Sequence, residues 1–401
     1  MKKNIFKLKT KHLKRIAEDI QRKIDEGLAE DGKEIRCLPT YITPPKTGAK
    51  GTALVLDLGG TNYRTAKVEF SEGKSSIHPE DGWKRDLSIM RNEGFTQKEL
   101  FEKLADPINE MNLSGNLPVG YCFSYPAEST LDGDAKLIRW TKGVNIKEML
   151  NQPVGKSLLE YLNSPDKKFS SIKVINDTVA SLFAGLAKSG YDAYIGLIVG
   201  TGTNMAALMR PDKIKKLDPQ YKGAEPIPVN LESGNFNPPY LTSIDDKVDA
   251  CSDSKGRQRF EKAVSGMYLG EIFKSVFPYD EVEEKFDAQK LTGIMNHPDM
   301  YKKKYVQVAR WIYTRSAQLV AASLAGLILV LASHDPAIRN VCLTAEGSLF
   351  WSKDKRGKDY NQLVLEDLNN LLVEFGHSDI QVDINKMDNA NLIGSAVAAL
   401  S

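Results

Sequence analysis

The run from Val174 to Asn204, VINDTVASLFAGLAKSGYDAYIGLIVGTGTN, is the stretch that most constrains the fold. A short apolar strand delivers Asn176 and Asp177 to its end, and a helix-like run follows. A second apolar strand, Ile195 to Val199, then opens onto the turn Gly200-Thr201-Gly202-Thr203-Asn204. Earlier, the strand Ala53 to Leu58 runs into a near-copy of this device, Asp57-Leu58-Gly59-Gly60-Thr61-Asn62, with Arg64 just beyond it. A residue lacking Cβ turns tightly and lets backbone N–H groups approach anionic oxygens. Either turn alone could be an ordinary hairpin. Two of them, with Asp, Thr and Asn at the turns, can grip a polyphosphate from both sides. Gly155-Lys156-Ser157 is not a competing P-loop, because Leu150 stands where that motif needs its first glycine and no apolar strand precedes it.

With 401 residues the chain exceeds the size at which one core stops growing, so two lobes and a cleft are expected. Lys plus Arg number 54 against 52 Asp plus Glu, a net charge of +2 that offers no field to attract nucleic acid or an anionic membrane. Cys37, Cys122, Cys251 and Cys342 lie far apart without CxxC spacing, and the five histidines form no cluster with them. Neither a disulfide framework nor a zinc site is indicated. The basic start, Met1 to Thr10, lacks the apolar stretch of a secretory signal, and a cytoplasmic location is expected.

Leu13, Ile16, Ala17, Ile20 and Ile24 fall at helical spacing and predict an amphipathic first helix packed on a lobe formed later in sequence. Leu38 to Lys50, with three prolines, reads as a linker. Strands alternating with helical patterns from Gly51 to Ala207 predict an α/β core. The apolar run Leu319 to Ala332 is shorter than the roughly 20 residues a membrane span takes, and reads as a buried helix. Asn235 to Tyr240 reads as a surface loop.

The blocks carrying these features resemble those of the hexokinase family. Phe123-Ser124-Tyr125-Pro126 and Arg139-Trp140-Thr141-Lys142-Gly143 are similar to its sugar-binding signature. Val229-Asn230-Leu231-Glu232-Ser233-Gly234 and Gly256-Arg257-Gln258-Arg259-Phe260-Glu261-Lys262 look like two further blocks in the family's order. The resemblance implies a two-lobed actin-like ATPase (ribonuclease H-like) α/β fold with its active site in the interlobe cleft. The small lobe would be 51–178 plus 389–401, and the large lobe 1–50 plus 179–388. It further implies transfer of the terminal phosphate of Mg-ATP to the C6 hydroxyl of glucose and other hexoses, the first step of glycolysis.

Phosphoryl transfer to an alcohol needs a base, fixed donors for the migrating charge, and a magnesium ion. By the family match Asp177 is the base, with Lys142 and Arg64 as candidates to stabilise the transferred phosphoryl. Asp57 would hold Mg2+ through water, and Gly59, Gly60, Thr61, Asn62, Gly200, Thr201, Gly202, Thr203, Gly347 and Ser348 would form the ATP site. No all-protein metal cage is expected. A sugar's vicinal hydroxyls both donate and accept, which calls for amides and carboxylates. Asn176, Asn204, Glu232 and Glu261 supply them, completed by Ser124, Thr141 and Lys142. Glu346 stands where the family more often has Asp, and Ser233 replaces a frequent Trp. Two other readings stay open at this stage: a catalytically silent hexose sensor, and an actin-like ATPase that uses nucleotide only to change conformation.

Overall fold

Each glycine-rich turn closes an antiparallel hairpin, and each hairpin begins a sheet built to the same plan. The computed structural model describes residues 4–45, 48–60, 62–71, 74–111, 113, 115–141, 143–163, 168–278 and 286–401. In the first sheet Gly51–Leu58 and Asn62–Ser71 form the hairpin. Lys74–Asp86 extends it antiparallel on one side, and Leu117–Phe123 and Phe169–Ile175 follow in parallel on the other. In the second sheet Ala193–Val199 and Thr203–Met209 form the hairpin. Ile227–Asn230 and the short Leu38–Pro39 extend it antiparallel, and Asn340–Glu346 and Gln381–Asn385 follow in parallel. The duplication read from two turns therefore holds for whole sheets. Ala53 to Leu58 are all buried, as expected of a strand covered on both faces.

Two helices, Asp177–Gly185 and Ala390–Ala399, lie between the sheets. They cross so closely that a Cβ on Gly394 would come within 1.8 Å of Ala180 O. A Cβ on Gly120, in the first sheet, would meet Ser395 O at 2.0 Å, and one on Gly196, in the second, Thr178 O at 2.4 Å. Bare backbone at these contacts lets helix and sheet touch, while Val179, Phe183, Leu392 and Ala396 fill the space around them. The loops ahead of the two helices are thereby set against each other between the sheets, which is where the functional residues gather.

The first helix, Thr10–Ala29, buries Leu13, Ile16, Ala17, Ile20 and Ile24 as the spacing predicts, against the long helix Lys303–His334. That long helix contains the run Leu319 to Ala332. It is long and apolar enough to cross a membrane, but 89% of its most apolar window is buried inside the protein. The expected surface loop at Asn235 to Tyr240 is only partly one. Tyr240 is exposed and stacks on His12 at 4.4 Å, whereas Phe236 is fully buried against Phe260 because an apolar ring there completes the core.

Candidate active site

Strand register places Asp57 opposite Arg64. The guanidinium donates to Asp57 Oδ2 from Nη2 at 2.6 Å and from Nε at 3.0 Å, and from Nη1 to Asn389 Oδ1 at 3.0 Å. Arg64 thus joins the first hairpin to the residue that caps the C-terminal helix. The first turn is closed by Gly59 N–H donating to Asn62 O at 2.9 Å, with Gly60 in the bend. Thr61 and Lys142 lie outside the described residues.

The second turn closes through Gly200 N–H to Gly202 O at 2.9 Å, leaving Thr201 exposed at its crest. Gly347, just past the strand Asn340–Glu346, sits against this turn with φ +108°, where a Cβ would lie 2.2 Å from Val199 O. Exposed Ser348 follows, and Phe350 N–H donates to Val199 O at 3.0 Å. A cavity of about 220 Å³ opens beside these pieces, lined among others by Arg64, Glu346, Gly347, Trp351, Lys386 and Asn389. Its size suits a nucleotide fragment, and its lining sets Arg64 and Lys386 against Glu346 and Asp388.

Burial pushes the Glu346 carboxyl up to about 7, and the charges of Asp57 and Asp177 push the same way against Arg64. Asp57, Asp177 and Glu346 therefore share one electrostatic neighbourhood. Among the described residues no three His, Cys, Asp or Glu are grouped to hold a metal ion. Magnesium needs only one or two carboxylates beside nucleotide phosphates, a requirement that Asp57 alone could meet.

Among the residues expected to line the sugar pocket, Asn176 rather than Asp177 is the helix cap: its Oδ1 accepts from Thr178 N–H at 2.9 Å. Asp177 is the first helical residue, half-buried, with Oδ1 also 2.9 Å from Thr178 N. A chain of hydrogen bonds stands nearby. Ser233 N–H donates to Asn204 Oδ1 at 3.1 Å, Asn204 Nδ2 to Asn230 Oδ1 at 2.7 Å, and Asn230 Nδ2 to Glu232 Oε1 at 2.9 Å. Glu232 is held at φ +56°, and its carboxyl is raised by burial and then by Asp177, with Asn230, Arg36 and Arg139 acting in the opposite sense. Glu261 accepts from Gln258 Nε2 at 3.2 Å and from Thr203 N–H at 3.1 Å. A Cβ on Gly202 would stand 2.7 Å from Glu261 Oε2, so the turn and the carboxylate are packed together.

The segment carrying Ser124 and Thr141 is fixed by aromatics. Ser124 N–H donates to Leu58 O at 3.1 Å and Tyr125 Oη to Gly59 O at 3.0 Å. Trp140 packs edge-on to Tyr125 at 4.7 Å and donates its indole N–H to Ile146 O at 2.8 Å.

Thr203 departs from its expected role in the ATP site. It is buried, its hydroxyl donates to Ile198 O at 2.9 Å and its N–H is held by Glu261, so it closes the turn instead of facing a ligand. Asn230 and Gln258 were overlooked as site residues although both stand in the quoted blocks. Gln258, like Glu232 and Asn389, has a positive φ, a backbone state costing about 1 kcal/mol or more that recurs at functional sites. Asp249 was also missed. It accepts from Lys262 Nζ at 2.7 Å, from Gly256 N–H at 2.9 Å and from Arg259 at 3.1 Å, and so anchors the helix bearing Glu261.

Comparison with known proteins gives the family. Two family models, both described as hexokinase, match residues 2–187 and residues 194–279 and 279–401. The chain is 27% identical over 391 residues to Hexokinase-9 of Oryza sativa subsp. japonica, covering 84% of this chain and 77% of that one. It is 32% identical over 289 residues to Hexokinase-2 of Schizosaccharomyces pombe, covering 68% and 62%. A hexokinase from Schistosoma mansoni complexed with glucose superposes with a TM-score of 0.81 at 24% identity, over 99% of this chain and 96% of that chain. A ROK family glucokinase from Streptomyces griseus in complex with glucose and AMPPNP shares the fold at a TM-score of 0.51 and 16% identity, over 86% and 98%. With family matches running through nearly the whole length, this chain belongs to the hexokinase family of ATP-dependent hexose kinases.

Proposed function

We propose that the chain transfers the terminal phosphoryl group of Mg-ATP to the C6 hydroxyl of glucose, and of mannose and fructose as further substrates. The observation that carries this reading is the position of Asp177, at the head of a helix between the sheets, within electrostatic reach of both Glu232 on the sugar side and Glu346 on the phosphate side.

Glu232, held by the Asn230 amide, and Glu261, held by the Gln258 amide and the Thr203 N–H, would accept from sugar hydroxyls, and Asn176 and Thr141 would complete the pocket. The Asp177 carboxylate would take the C6 hydroxyl proton as that oxygen attacks the terminal phosphorus and the bond to the β-phosphate oxygen breaks. Backbone N–H groups of the two turns, with Thr201 and Arg64, would face the phosphates. Magnesium held at Asp57 through water would neutralise charge on the transferred group. Sugar binding would draw 51–178 plus 389–401 towards 1–50 plus 179–388, excluding water. A cytoplasmic enzyme is part of the same proposal.

The test is coupled glucose 6-phosphate formation with wild type and Asp177→Ala. Proton transfer contributes about 10²–10⁴-fold, so turnover should fall by at least that order while glucose affinity changes little. Equal turnover in the two proteins would remove Asp177 as the base. Bound glucose without turnover in wild type would favour a sensor.

A further inference from the structure

We infer that the cavity beside Gly347 is a base slot, in which the indole of Trp351 and the ammonium of Lys386 bind the purine of the phosphoryl donor without telling adenine from guanine.

The ends of three neighbouring strands give the donor its course. Ala193–Val199, Asn340–Glu346 and Gln381–Asn385 are adjacent and parallel in the second sheet, so their C-terminal ends stand in a row. The first leads into the turn Gly200-Thr201-Gly202, the second into Gly347, and the third, at the sheet's edge, into Lys386. Neighbouring strands lie about 4.8 Å apart. A donor whose phosphates sit on the turn has this row on which to lay its nucleoside, and the cavity of about 220 Å³ opens along it, between Gly347 and Lys386.

The charges lining the cavity fit a nucleoside better than its phosphates. Arg64 is matched by Asp57, and Lys386 is set against Glu346 and Asp388. Asp57 and Asp177 both act on Glu346 and add to the acid side. No net positive charge is left for phosphate. Carboxylates are instead acceptors for the hydroxyls of a ribose.

An aromatic ring and a cation meet at the same cavity. Lys386 Nζ lies over the Trp351 indole, 5.5 Å from the ring centroid, and both residues line the space. The ring is fixed, because its N–H donates to Ala345 O at 2.9 Å and Phe350 packs edge-on at 5.2 Å. Lys386 is exposed, and among the described residues no acid forms an ion pair with it. Such a side chain swings aside readily and leaves the ring face to a base.

These groups do not discriminate between purines. Stacking tolerates every base, since each has a π face. Lys386 is a donor only, and it finds an acceptor on either purine: N7 of adenine, N7 and O6 of guanine. A pyrimidine lacks N7 and offers the indole a smaller ring. Asn389 is the one side-chain amide among the described lining residues, and its Oδ1 already accepts from Arg64 at 3.0 Å. The donor class is then the purine nucleoside triphosphates, ATP and GTP alike. Phosphoryl transfer from them rests on the function proposed above; purine binding to Trp351 and Lys386 does not.

The test compares ATP, GTP and CTP as donors, with saturating glucose and magnesium, in wild type, Trp351→Ala and Lys386→Met. Wild type should use ATP and GTP with kcat/KM values within about tenfold of each other, and CTP at least about tenfold less well. Trp351→Ala should raise the KM for both purine donors about tenfold. Its calorimetric glucose affinity should stay that of wild type, which a damaged fold would not allow. Lys386→Met, at an exposed position, should raise the KM for GTP about threefold or more and that for ATP less, and it carries the test should Trp351→Ala not fold. A preference for ATP over GTP beyond about tenfold, or purine KM values that neither variant moves, would overturn the slot. If wild type phosphorylates no hexose with any donor, the kinase reading fails by itself. Calorimetric titration with ADP and GDP then decides: similar affinities in wild type, with GDP weakened in Lys386→Met, uphold the slot, and binding of ADP alone or unaltered GDP binding in the variant rejects it.

Discussion

Glu261 Oε2 accepts the backbone N–H of Thr203 at 3.1 Å, so the carboxylate proposed for the sugar pocket also holds the turn proposed for the nucleotide. Removing a partner from such a part-buried bond costs about 1–3 kcal/mol. Glu261→Ala should therefore weaken glucose binding about tenfold or more and also raise the KM for ATP, while Glu261→Gln, which keeps an acceptor, should recover most of the ATP effect. Fluorescence titration with glucose and steady-state kinetics with ATP separate the two. Unchanged glucose affinity would take Glu261 out of the pocket, and unchanged KM for ATP would break the link to the turn.

Lys262 reaches Asp249 Oδ1 at 2.7 Å and Ser254 O at 2.7 Å with almost no exposure. Burial raises the Asp249 carboxyl, but hydrogen bonds from Lys262 and Gly256 outweigh it and hold it below its ordinary value. Lys262→Met leaves Asp249 with less compensation and should cost about 3 kcal/mol in urea unfolding. Glucose affinity should fall with it, because the helix Arg259–Val264 carries Glu261. A loss of stability with unaltered sugar binding would show that the cluster does not position Glu261.

What was legible in the sequence was local. Glycine, Asp and Asn at the ends of two apolar strands state the hairpins directly, and both sheets follow from them. Helical spacing from Leu13 to Ile24 gave the buried face of the first helix for the same reason. The illegible part depends on partners distant in sequence. Nothing near Thr203 says that Glu261, 58 positions on, takes its N–H. Nothing in Asn230 announces a bridge between Asn204 and Glu232. Ser233, where a Trp is frequent, is explained by contact as well: fully buried, it hydrogen-bonds back to Asn204.

Glu346 ties stability to pH. Its carboxyl titrates at about 7 in the folded protein against an ordinary 4.5, raised by burial and then by Asp57 and Asp177. The folded state thus holds a proton that the unfolded chain releases between these values, and stability falls as pH rises through that window. Glu346→Gln should match wild type near pH 4 and exceed it at pH 8, by up to about 3 kcal/mol and by less where water reaches the carboxyl. Thermal unfolding at a series of pH values decides. Parallel curves for the two proteins would deny Glu346 a raised titration.

Gly347 separates the two halves of the site by experiment. Its φ of +108° is unfavourable for any residue with a Cβ, and that atom would lie 2.2 Å from Val199 O and 2.7 Å from Gly200 N. Both contacts are backbone, so no side chain can move aside. Gly347→Ala must push the end of the strand Asn340–Glu346 away from the turn at Gly200, at a cost of about 1–3 kcal/mol. The hydrogen-bond chain from Ser233 to Glu232, proposed for the sugar pocket, does not pass through Gly347. Glucose binding should therefore survive, with Kd within about twofold of wild type, while the KM for ATP rises about tenfold or more, on the scale of 1.4 kcal/mol per tenfold. Comparable loss of glucose and ATP affinity would mean that the strand end supports both halves, and an unaltered KM for ATP would move the nucleotide away from Gly347 altogether.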